Sequence, residues 1–279
     1  MNECEEEITQ SDIDKKNSQF WNELCGTTLA HKLGITDNSK ESLLRFDRWY
    51  FDHYPYLDDH IPFNSMEGKK ALEIGLGYGS VAQRLIEHGA DYYGLDIAAG
   101  PVEMVTNRLN QTGKIGNVQR GSILSPPFDK ESFDWIIAVG CLHHTGNLSK
   151  AIDNVYSLLK PNGKAMIMVY SASSYRQWWS SPKNTLRRLL SSPKTYQKQT
   201  QSVRKMRAAY DTNLEGDAAP QTEFVTKSEL KYLCRKFSKV SVDSENIGNE
   251  GFLSSMSRPL ACKIFGQFFG LDLYCSLQK

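Results

Sequence analysis

Three glycines stand at alternate positions in the stretch KKALEIGLGYGS, which covers residues 69–80. A short apolar run leads directly into Gly75, Gly77 and Gly79. Glycine lets the backbone turn sharply and approach a ligand without a Cβ atom in the way. A helix that follows such a turn directs its free N–H groups into the same space. The stretch is therefore typical of a nucleotide-binding turn between a strand and a helix.

The spacing of the glycines separates two kinds of nucleotide site. Dinucleotide sites usually show the pattern GxGxxG, whereas here Glu73 begins the pattern ExGxGxG. The turn therefore favours a ligand with a ribose and an amino-acid tail over NAD. Asp96 lies at the end of the next apolar run, where its carboxylate can accept hydrogen bonds from two ribose hydroxyls. The alternative role for Asp96 is to cap the following helix.

Strand-like and helical runs alternate after residue 68. Such alternation predicts right-handed crossovers and an α/β fold, with a doubly wound, mainly parallel sheet covered by helices on both faces. The predicted strands cover residues 71–74, 92–97, 117–120, 135–139 and 165–169, and two final strands fall within 238–247 and 270–279. The predicted helices between the first five strands cover residues 80–88, 102–110 and 150–159.

The chain divides into three predicted regions. Residues 1–17 are acidic and are expected to form a flexible tail. Residues 18–65 are rich in aromatic side chains and predict helices that end at Tyr54-Pro55, because proline disfavours helical geometry in the residue before it. Residues 66–279 form the main domain, with a basic helical insertion at 172–215. Both helical regions are candidate lids, and core packing is the alternative role for the aromatic side chains of residues 18–65.

The basic insertion carries Trp178 and Trp179 close to Arg176, Arg187 and Arg188. These side chains could bind a flat or anionic substrate. The alternative is a solvated helical face that packs on the domain or on a second subunit.

The composition limits the classes of protein to consider. The chain has 279 residues, of which 40% are hydrophobic, and its formal net charge is +1. We expect no secretory leader, because the start of the sequence lacks a basic segment and an apolar segment. We expect no membrane-spanning helix, because no apolar run approaches about 18 residues. The six cysteines form no CxxC pair. We therefore expect free thiols, a cytoplasmic location and no metal site.

The motifs together resemble those of class I S-adenosylmethionine-dependent methyltransferases, over roughly residues 66–171. The resemblance rests on LEIGLGYGS at the first strand, GLDIA at the second, GSILSPPFDKESFDWIIAVGCLHHTGN from the third into the fourth, and LLKPNGKAMIMVYS at the fifth. It implies a Rossmann-like fold with a seven-stranded sheet, S-adenosyl-L-methionine as the cofactor, and methyl transfer. The later segment, residues 210–237, resembles relatives that methylate small molecules.

The resemblance also implies which residues hold the cofactor. They fall at the ends of the first four predicted strands, with the methionine part near the first and fourth, the ribose at the second, and the adenine between the second and third. These residues are Glu73, Gly75, Gly77, Gly79, Asp96, Ile97, Ser122, Ile123, Val139 and Gly140. Many relatives carry an acid where this chain has Ser122.

Two adjacent histidines, His143 and His144, follow the fourth predicted strand. A histidine at this place could take a proton from a substrate hydroxyl or amine, because its pKa lies near neutrality. Both are therefore candidate catalytic bases. The alternatives are a structural histidine bonded to the backbone and one half of a zinc pair, which no nearby cluster of cysteine and aspartate supports.

The predicted function is methyl transfer to an oxygen or nitrogen of a small-molecule acceptor. The first alternative is an RNA or protein methyltransferase that binds its substrate through the basic insertion, although the near-neutral net charge makes nucleic acid the weaker prediction. The second alternative is a non-enzymatic or NAD-binding module on the same fold, which the glycine pattern disfavours. The expected partner is the small-molecule acceptor, with a homodimer as a further hypothesis.

Overall fold

The computed structural model describes residues 9–23, 27–196, 204–248, 250–251 and 255–279. Its strands are Lys70–Ile74 (β1), Asp91–Asp96 (β2), Asn117–Arg120 (β3), Phe133–Val139 (β4), Leu159–Tyr170 (β5), Lys239–Glu245 (β6) and Asp272–Gln278 (β7). Within the described residues these seven strands form one sheet in the order β3-β2-β1-β4-β5-β7-β6. The strands β1 to β5 pair in parallel, and β7 is antiparallel to both β5 and β6.

The order of the strands confirms the predicted fold class. From β1 the chain extends the sheet first through β2 and β3 on one side, and then through β4 and β5 on the other. This change of direction is the topological switch point, and open α/β sheets bind ligands beside it, at the carboxyl ends of the strands. The glycine turn follows β1 and therefore lies at that point.

Helices cover both faces of the sheet. They are Gln10–Phe20 (α1), Thr27–Lys32 (α2), Lys40–His53 (α3), Leu57–His60 (α4), Ser80–Glu87 (α5), Ala99–Thr112 (α6), Leu148–Leu158 (α7), Tyr175–Ser180 (α8), Pro182–Leu190 (α9), Arg204–Ala208 (α10), Lys227–Leu233 (α11) and Arg258–Phe269 (α12). Successive residues of a strand point to opposite faces, so Ile136 belongs to the core shared with α7 and α11, and Ile137 to the core shared with α5 and α6. None of the helices in the described ranges is long and apolar enough to cross a membrane.

The predicted flexible tail was wrong for its second half, because α1 begins inside it. Thr9 and Asp12 form a capping box at the start of this helix, which satisfies two backbone N–H groups that would otherwise lack partners. Asn17 is buried and donates a hydrogen bond of 2.7 Å to the backbone carbonyl of His144. The cap and this contact stabilise the helix against the domain. Residues 1–8 of the predicted tail lie outside the described residues.

The helix α12 is an element that the sequence did not predict. It lies between β6 and β7, where the prediction had only a connection. Pro259 lies in its first turn, where a missing N–H group costs nothing. Its outer side carries exposed apolar side chains, including Leu260, Ile264 and Phe268. These side chains hide the helical period, because an amphipathic pattern depends on polar residues at the exposed positions.

The later helices agree more closely with the prediction from the sequence. The helices α8, α9 and α10 all lie in the predicted insertion, of which residues 197–203 are outside the described part of the chain. Thr226 caps α11 in a capping box with Glu229.

A buried ion pair fastens α3 to the domain. The guanidinium of Arg108 on α6 donates two hydrogen bonds to the carboxylate of Asp47 on α3, at 2.8 and 2.9 Å. The hydroxyl of Ser80 donates to the same carboxylate at 2.6 Å, and Nε of Arg108 donates to the carbonyl of Tyr78 at 2.7 Å. Both charged side chains are buried. This network joins three helices to the glycine turn, which contains Tyr78.

Candidate active site

A cavity of about 420 Å³ lies at the carboxyl edge of the parallel strands. All ten residues predicted to hold the cofactor line it, and so does His144, whereas His143 does not. The structure therefore brings together Glu73, Gly75, Gly77, Gly79, Asp96, Ile97, Ser122, Ile123, Val139, Gly140 and His144. Their contacts with a cofactor stay predictions.

The three glycines of the turn all have backbone angles that L-residues with a side chain rarely adopt. Their φ values are 77° at Gly75, 49° at Gly77 and 76° at Gly79. A Cβ atom on Gly75 would lie 2.4 Å from the Cβ of Cys141, and one on Gly79 would lie 2.8 Å from Val105. The missing side chains therefore make room for neighbouring protein atoms as well as for a ligand.

Asp96 ties the glycine turn to the end of β2. One carboxylate oxygen accepts the backbone N–H of Leu76 at 2.8 Å, and the other accepts that of Ala98 at 2.9 Å. Burial raises the pKa of Asp96 to about 6, and the backbone hydrogen bonds act against that shift. Each oxygen keeps a second lone pair. The alternative role of Asp96 as the cap of the following helix was wrong, because Ala98 is the N-cap residue and no described side chain caps this helix. The role of Asp96 as a ribose acceptor stays a prediction.

Glu73 lies beneath the turn and is 4% exposed. Its carboxyl group accepts a hydrogen bond of 2.7 Å from the Tyr92 hydroxyl. Burial raises the pKa of Glu73 to about 8, although the Tyr92 hydrogen bond acts in the opposite direction. A positively charged ligand group beside this carboxyl would favour its ionised form.

The two adjacent histidines have different surroundings. His143 is fully buried, and within the described residues neither of its ring nitrogens has a hydrogen-bond partner. Burial holds its pKa well below the usual range. His144 reaches the cavity, and its Nδ1 lies 2.6 Å from the carbonyl of Gln221. Because a carbonyl only accepts, we assign the proton to Nδ1, which leaves a lone pair on Nε2. Of the two candidate bases, only His144 can therefore meet a ligand in the cavity.

The Nε2 atom of His144 faces a carboxylate. It lies 3.6 Å from Oδ2 of Asp211, which is longer than a hydrogen bond, and neither atom has a hydrogen-bond partner in the described part of the chain. Burial lowers the pKa of His144, and Asp211 acts in the opposite direction. The described residues contain no group of three or more potential ligands that could hold a metal ion.

A second carboxylate, that of Asp272, lines the same end of the cavity as Asp211. The sequence analysis predicted a role for neither residue. Asp211 accepts a hydrogen bond of 3.1 Å from the Tyr170 hydroxyl, and Asp272 accepts one of 2.8 Å from Asn246. Burial raises the pKa of both carboxyls, that of Asp272 to about 7. Asp272 begins β7 and is paired with Tyr170 at the end of β5. The position of Asp272 at the start of the last predicted strand was a signal in the sequence that could have identified it. Asp211 lies in a loop whose sequence contains no motif.

Aromatic residues of the N-terminal region also line the cavity. Those in its lining are Trp21, Phe46, Trp49, Tyr50 and Tyr54. The Trp21 ring lies 4.8 Å from the His144 ring. The N-terminal region thus contributes directly to the site.

The aromatic and basic residues of the insertion lie elsewhere. Trp178 and Trp179 do not line the cavity, and Trp179 is 82% exposed. The Arg176 guanidinium is paired with Glu250, and that of Arg188 with Glu229. The geometry therefore does not place these groups where a ligand of the cavity would meet them.

Comparison with known proteins identifies the domain. Residues 72–167 match the family described as a methyltransferase domain. The chain carries a class I methyltransferase domain. This confirms the family predicted from the sequence, and S-adenosylmethionine as the cofactor that the domain uses.

Two curated relatives and one solved structure illustrate the likeness of this methyltransferase domain. Phosphoethanolamine N-methyltransferase of Plasmodium falciparum is 31% identical over 115 residues, which are 40% of this chain and 43% of that protein. Demethylmenaquinone methyltransferase of Tropheryma whipplei is 28% identical over 144 residues, 49% of this chain and 59% of that protein. The structure is a Thermotoga maritima S-adenosylmethionine-dependent methyltransferase, described as a possible histamine N-methyltransferase. It matches 85% of this chain and 95% of its own, with a TM-score of 0.53 and 18% identity.

The extent of these matches limits what they establish. The matched regions span about half of each curated relative. At 18% identity the structural likeness establishes the fold alone. The methyltransferase domain is therefore common to all of them, while the acceptor is a property of each protein.

The residues of the turn fit the cofactor of the methyltransferase domain. A bare, left-handed backbone at Gly75 and Gly77 allows a ligand to lie against it. Asp96 retains acceptor capacity for a ribose, and Glu73 offers a carboxyl group that a cationic amino group would ionise.

Proposed function

We propose that the chain is an enzyme that transfers the methyl group of S-adenosylmethionine to a small-molecule acceptor. The observation that carries the proposal is the continuity of one cavity from the glycine turn to His144, Asp211 and Asp272. Its volume of about 420 Å³ is typical of small-molecule sites, which measure roughly 300–1,000 Å³.

The cofactor, when bound, supplies a methyl group that is already activated by a positive sulfur. The residues of the chain then have three tasks in this proposal. Gly75, Gly77 and Asp96 hold the cofactor, and Trp21 and Tyr54 help to keep water out of the cavity. His144 takes up the proton that the acceptor loses. Alignment of the acceptor with the methyl group, together with exclusion of water, accounts for most of the rate acceleration in such a displacement.

The alternative acceptors, RNA and protein, have less support. The basic insertion would be the contact surface, but three of its described arginines, Arg176, Arg188 and Arg204, are paired with carboxylates of this chain. The two curated relatives, in contrast, are named for small molecules, phosphoethanolamine and demethylmenaquinone. The described cysteines Cys141, Cys234, Cys262 and Cys275 are free thiols, which supports the expected cytoplasmic location.

The proposal is tested with a matched pair of glycine variants. Gly75→Ala should abolish binding of S-adenosylmethionine, measured by isothermal titration calorimetry, because its Cβ atom collides with Cys141. Gly113→Ala is the control, since Gly113 also has a positive φ but has open space around its missing Cβ atom. Both variants carry left-handed strain of roughly 1–2 kcal/mol, so a difference in binding reports the site.

The acceptor class is tested with a labelled methyl group. The enzyme is incubated with labelled S-adenosylmethionine and a cell extract, and the label is measured in small molecules, RNA and protein. We expect the label in the small-molecule fraction. Label in RNA or protein would contradict the acceptor class, and absence of cofactor binding would contradict methyl transfer itself.

A further inference from the structure

The carboxyl groups in the lining of the cavity are not matched by any lysine or arginine of the described lining residues. Five carboxyl side chains border the cavity. These acids are Asp14, Glu73, Asp96, Asp211 and Asp272. Buried carboxylates in a lining that contains no cation create a negative potential there, which attracts cations and disfavours ligands that carry phosphate or carboxylate groups.

The acids lie at two distant ends of the cavity. Asp96 lies at the end of β2, while Asp272 begins β7, and four strand spacings separate these two strands in the sheet. At about 4.8 Å per spacing the separation is roughly 19 Å. Glu73 and Asp96 belong to the cofactor end around the glycine turn. Asp211 and Asp272 belong to the other end, next to His144, where the acceptor must bind.

Among the described residues that line the cavity, three polar atoms lack a hydrogen-bond partner: Oδ2 of Asp211, Nε2 of His144 and Oδ1 of Asn17. The first two face each other across 3.6 Å, and the His144 side chain is only 5% exposed. Buried polar atoms in native proteins nearly always have a hydrogen-bond partner. A single nitrogen that donates to Oδ2 of Asp211 and to Nε2 of His144 would satisfy this requirement for both atoms. The aromatic rings of Tyr170, Tyr54 and Trp21 also line the cavity and provide surfaces that suit a cation.

Two arginines act on this end from outside the lining of the cavity. Arg176 and Arg258 both act on the pKa of Asp272, but each is held by other groups. Arg176 bonds to Glu250 and to a backbone carbonyl, while Arg258 bonds to Asn246 and to the His53 carbonyl. Neither lines the cavity. Of the charged side chains at this end, a ligand in the cavity therefore meets the carboxylates and not the two guanidinium groups.

We propose that the acceptor is an amine, which binds as its ammonium cation beside Asp211, Asp272 and His144 and is methylated on that nitrogen. The inference rests on the proposed methyltransferase function and deepens it, because the sequence left oxygen and nitrogen acceptors open.

The proton and electron balance follows from these groups. The ammonium gives one proton to Nε2 of His144, whose positive charge Asp211 then stabilises. The exposed nitrogen lone pair displaces the sulfur from the methyl carbon, so that an N–C bond forms as the S–C bond breaks. The positive charge passes from sulfur to the methylated nitrogen, which remains paired with Asp272. The products are the methylated ammonium and the uncharged thioether.

A matched series of ligands tests the charge preference. The probes are 2-phenylethylamine, 2-phenylethanol and 3-phenylpropanoate, which share a ring and differ in charge. Binding is measured by calorimetry at about pH 8, above the pKa of about 7 of Asp272. Saturating S-adenosylhomocysteine occupies the cofactor end, so that the probes report the acceptor end. We expect the amine to bind more tightly than the alcohol, and the carboxylate to bind least.

Three variants test which carboxylates cause the preference for the amine. Asp211→Asn and Asp272→Asn should each weaken binding of the amine by roughly 30-fold or more. This is the loss expected when one partner of a buried charge pair is removed. They should leave binding of the alcohol nearly unchanged. Asp217→Asn is the control, because Asp217 lies close to Asp211 in sequence, but its side chain is 59% exposed and it does not line the cavity.

Two results would overturn the amine inference. The first is an amine that binds no better than the alcohol, including the case in which neither binds. The second is unchanged amine binding in both cavity variants. Binding of S-adenosylmethionine in the same samples separates the two levels of proposal. If it is retained, only the amine inference fails; if it is absent, the proposed function fails as well.

Discussion

The two ends of the cavity differ in how their polar groups are satisfied. At the glycine turn, the carboxylates of Asp47 and Asp96 accept hydrogen bonds at both oxygens from the chain itself. At the acceptor end, Oδ2 of Asp211 and Nε2 of His144 have no partner in the described residues. The cofactor end is thus built in advance, whereas the acceptor end keeps polar atoms for a ligand to satisfy.

This difference predicts opposite responses to substitution. Removal of a satisfied group leaves its partner buried and unpaired, which destabilises the protein. Removal of an unsatisfied charge relieves the cost of its burial, which stabilises the protein without ligand. Substitutions at the two ends should therefore change the free energy of unfolding in opposite directions.

The largest effect is expected at the buried ion pair of the cofactor end. Asp47→Asn leaves the charge of Arg108 uncompensated and should lower the free energy of unfolding by about 3–5 kcal/mol. Asp58→Asn is the matched control, because Asp58 pairs with Arg84 at the surface and should contribute about 1 kcal/mol or less. Urea denaturation measures both. Equal losses in the two variants would show that burial does not distinguish these pairs.

The next effect concerns the two histidines. His144→Asn keeps a donor near the Gln221 carbonyl but removes the Nε2 lone pair, and it should lower kcat by about 100-fold, a typical loss for a general base. The cofactor affinity should stay the same, since His144 lies at the acceptor end. His143→Asn is the comparison and should reduce stability more than kcat. A larger loss of kcat in the His143 variant would reverse the assignment.

The smallest effect is a change in the pH dependence of stability. The raised pKa of Asp272 means that the folded state holds an extra proton between about pH 4 and pH 7. That contribution to stability is lost as the pH rises through 7. Asp272→Asn keeps an oxygen that can accept the hydrogen bond from Asn246 and removes only the charge. It should thus leave Tm nearly unchanged at about pH 3.5 and raise it at about pH 8.5, by roughly 2–4 °C for each kcal/mol in domains of 150–250 residues. The measurement is thermal unfolding without ligands, with Asp217→Asn as the control. A variant that is less stable than the wild type at the higher pH would remove the contrast between the two ends.

The sequence predicted the cofactor end because its signals are local. The glycine turn, the acid at Asp96 and the strands that carry them lie within about thirty residues, and each follows from backbone requirements. The acceptor end draws on Asp211 from the insertion and Asp272 from the last strand, which meet only through tertiary packing. The helix α12 was missed for a related reason, since its exposed apolar residues conceal its period. Residues 10–17 were read as a tail because their contact with His144 spans more than a hundred positions.

The five carboxyl side chains of the cavity also bear on turnover. Fresh cofactor carries a positive sulfur, and spent cofactor carries a neutral one. A negative enclosure holds the charged form more firmly than the uncharged form, and salt in the surrounding solution screens such an enclosed interaction only weakly. The same carboxylates that gather the reactants would thus lose part of their hold on the used nucleoside once its charge has left, which favours its exchange for a new molecule.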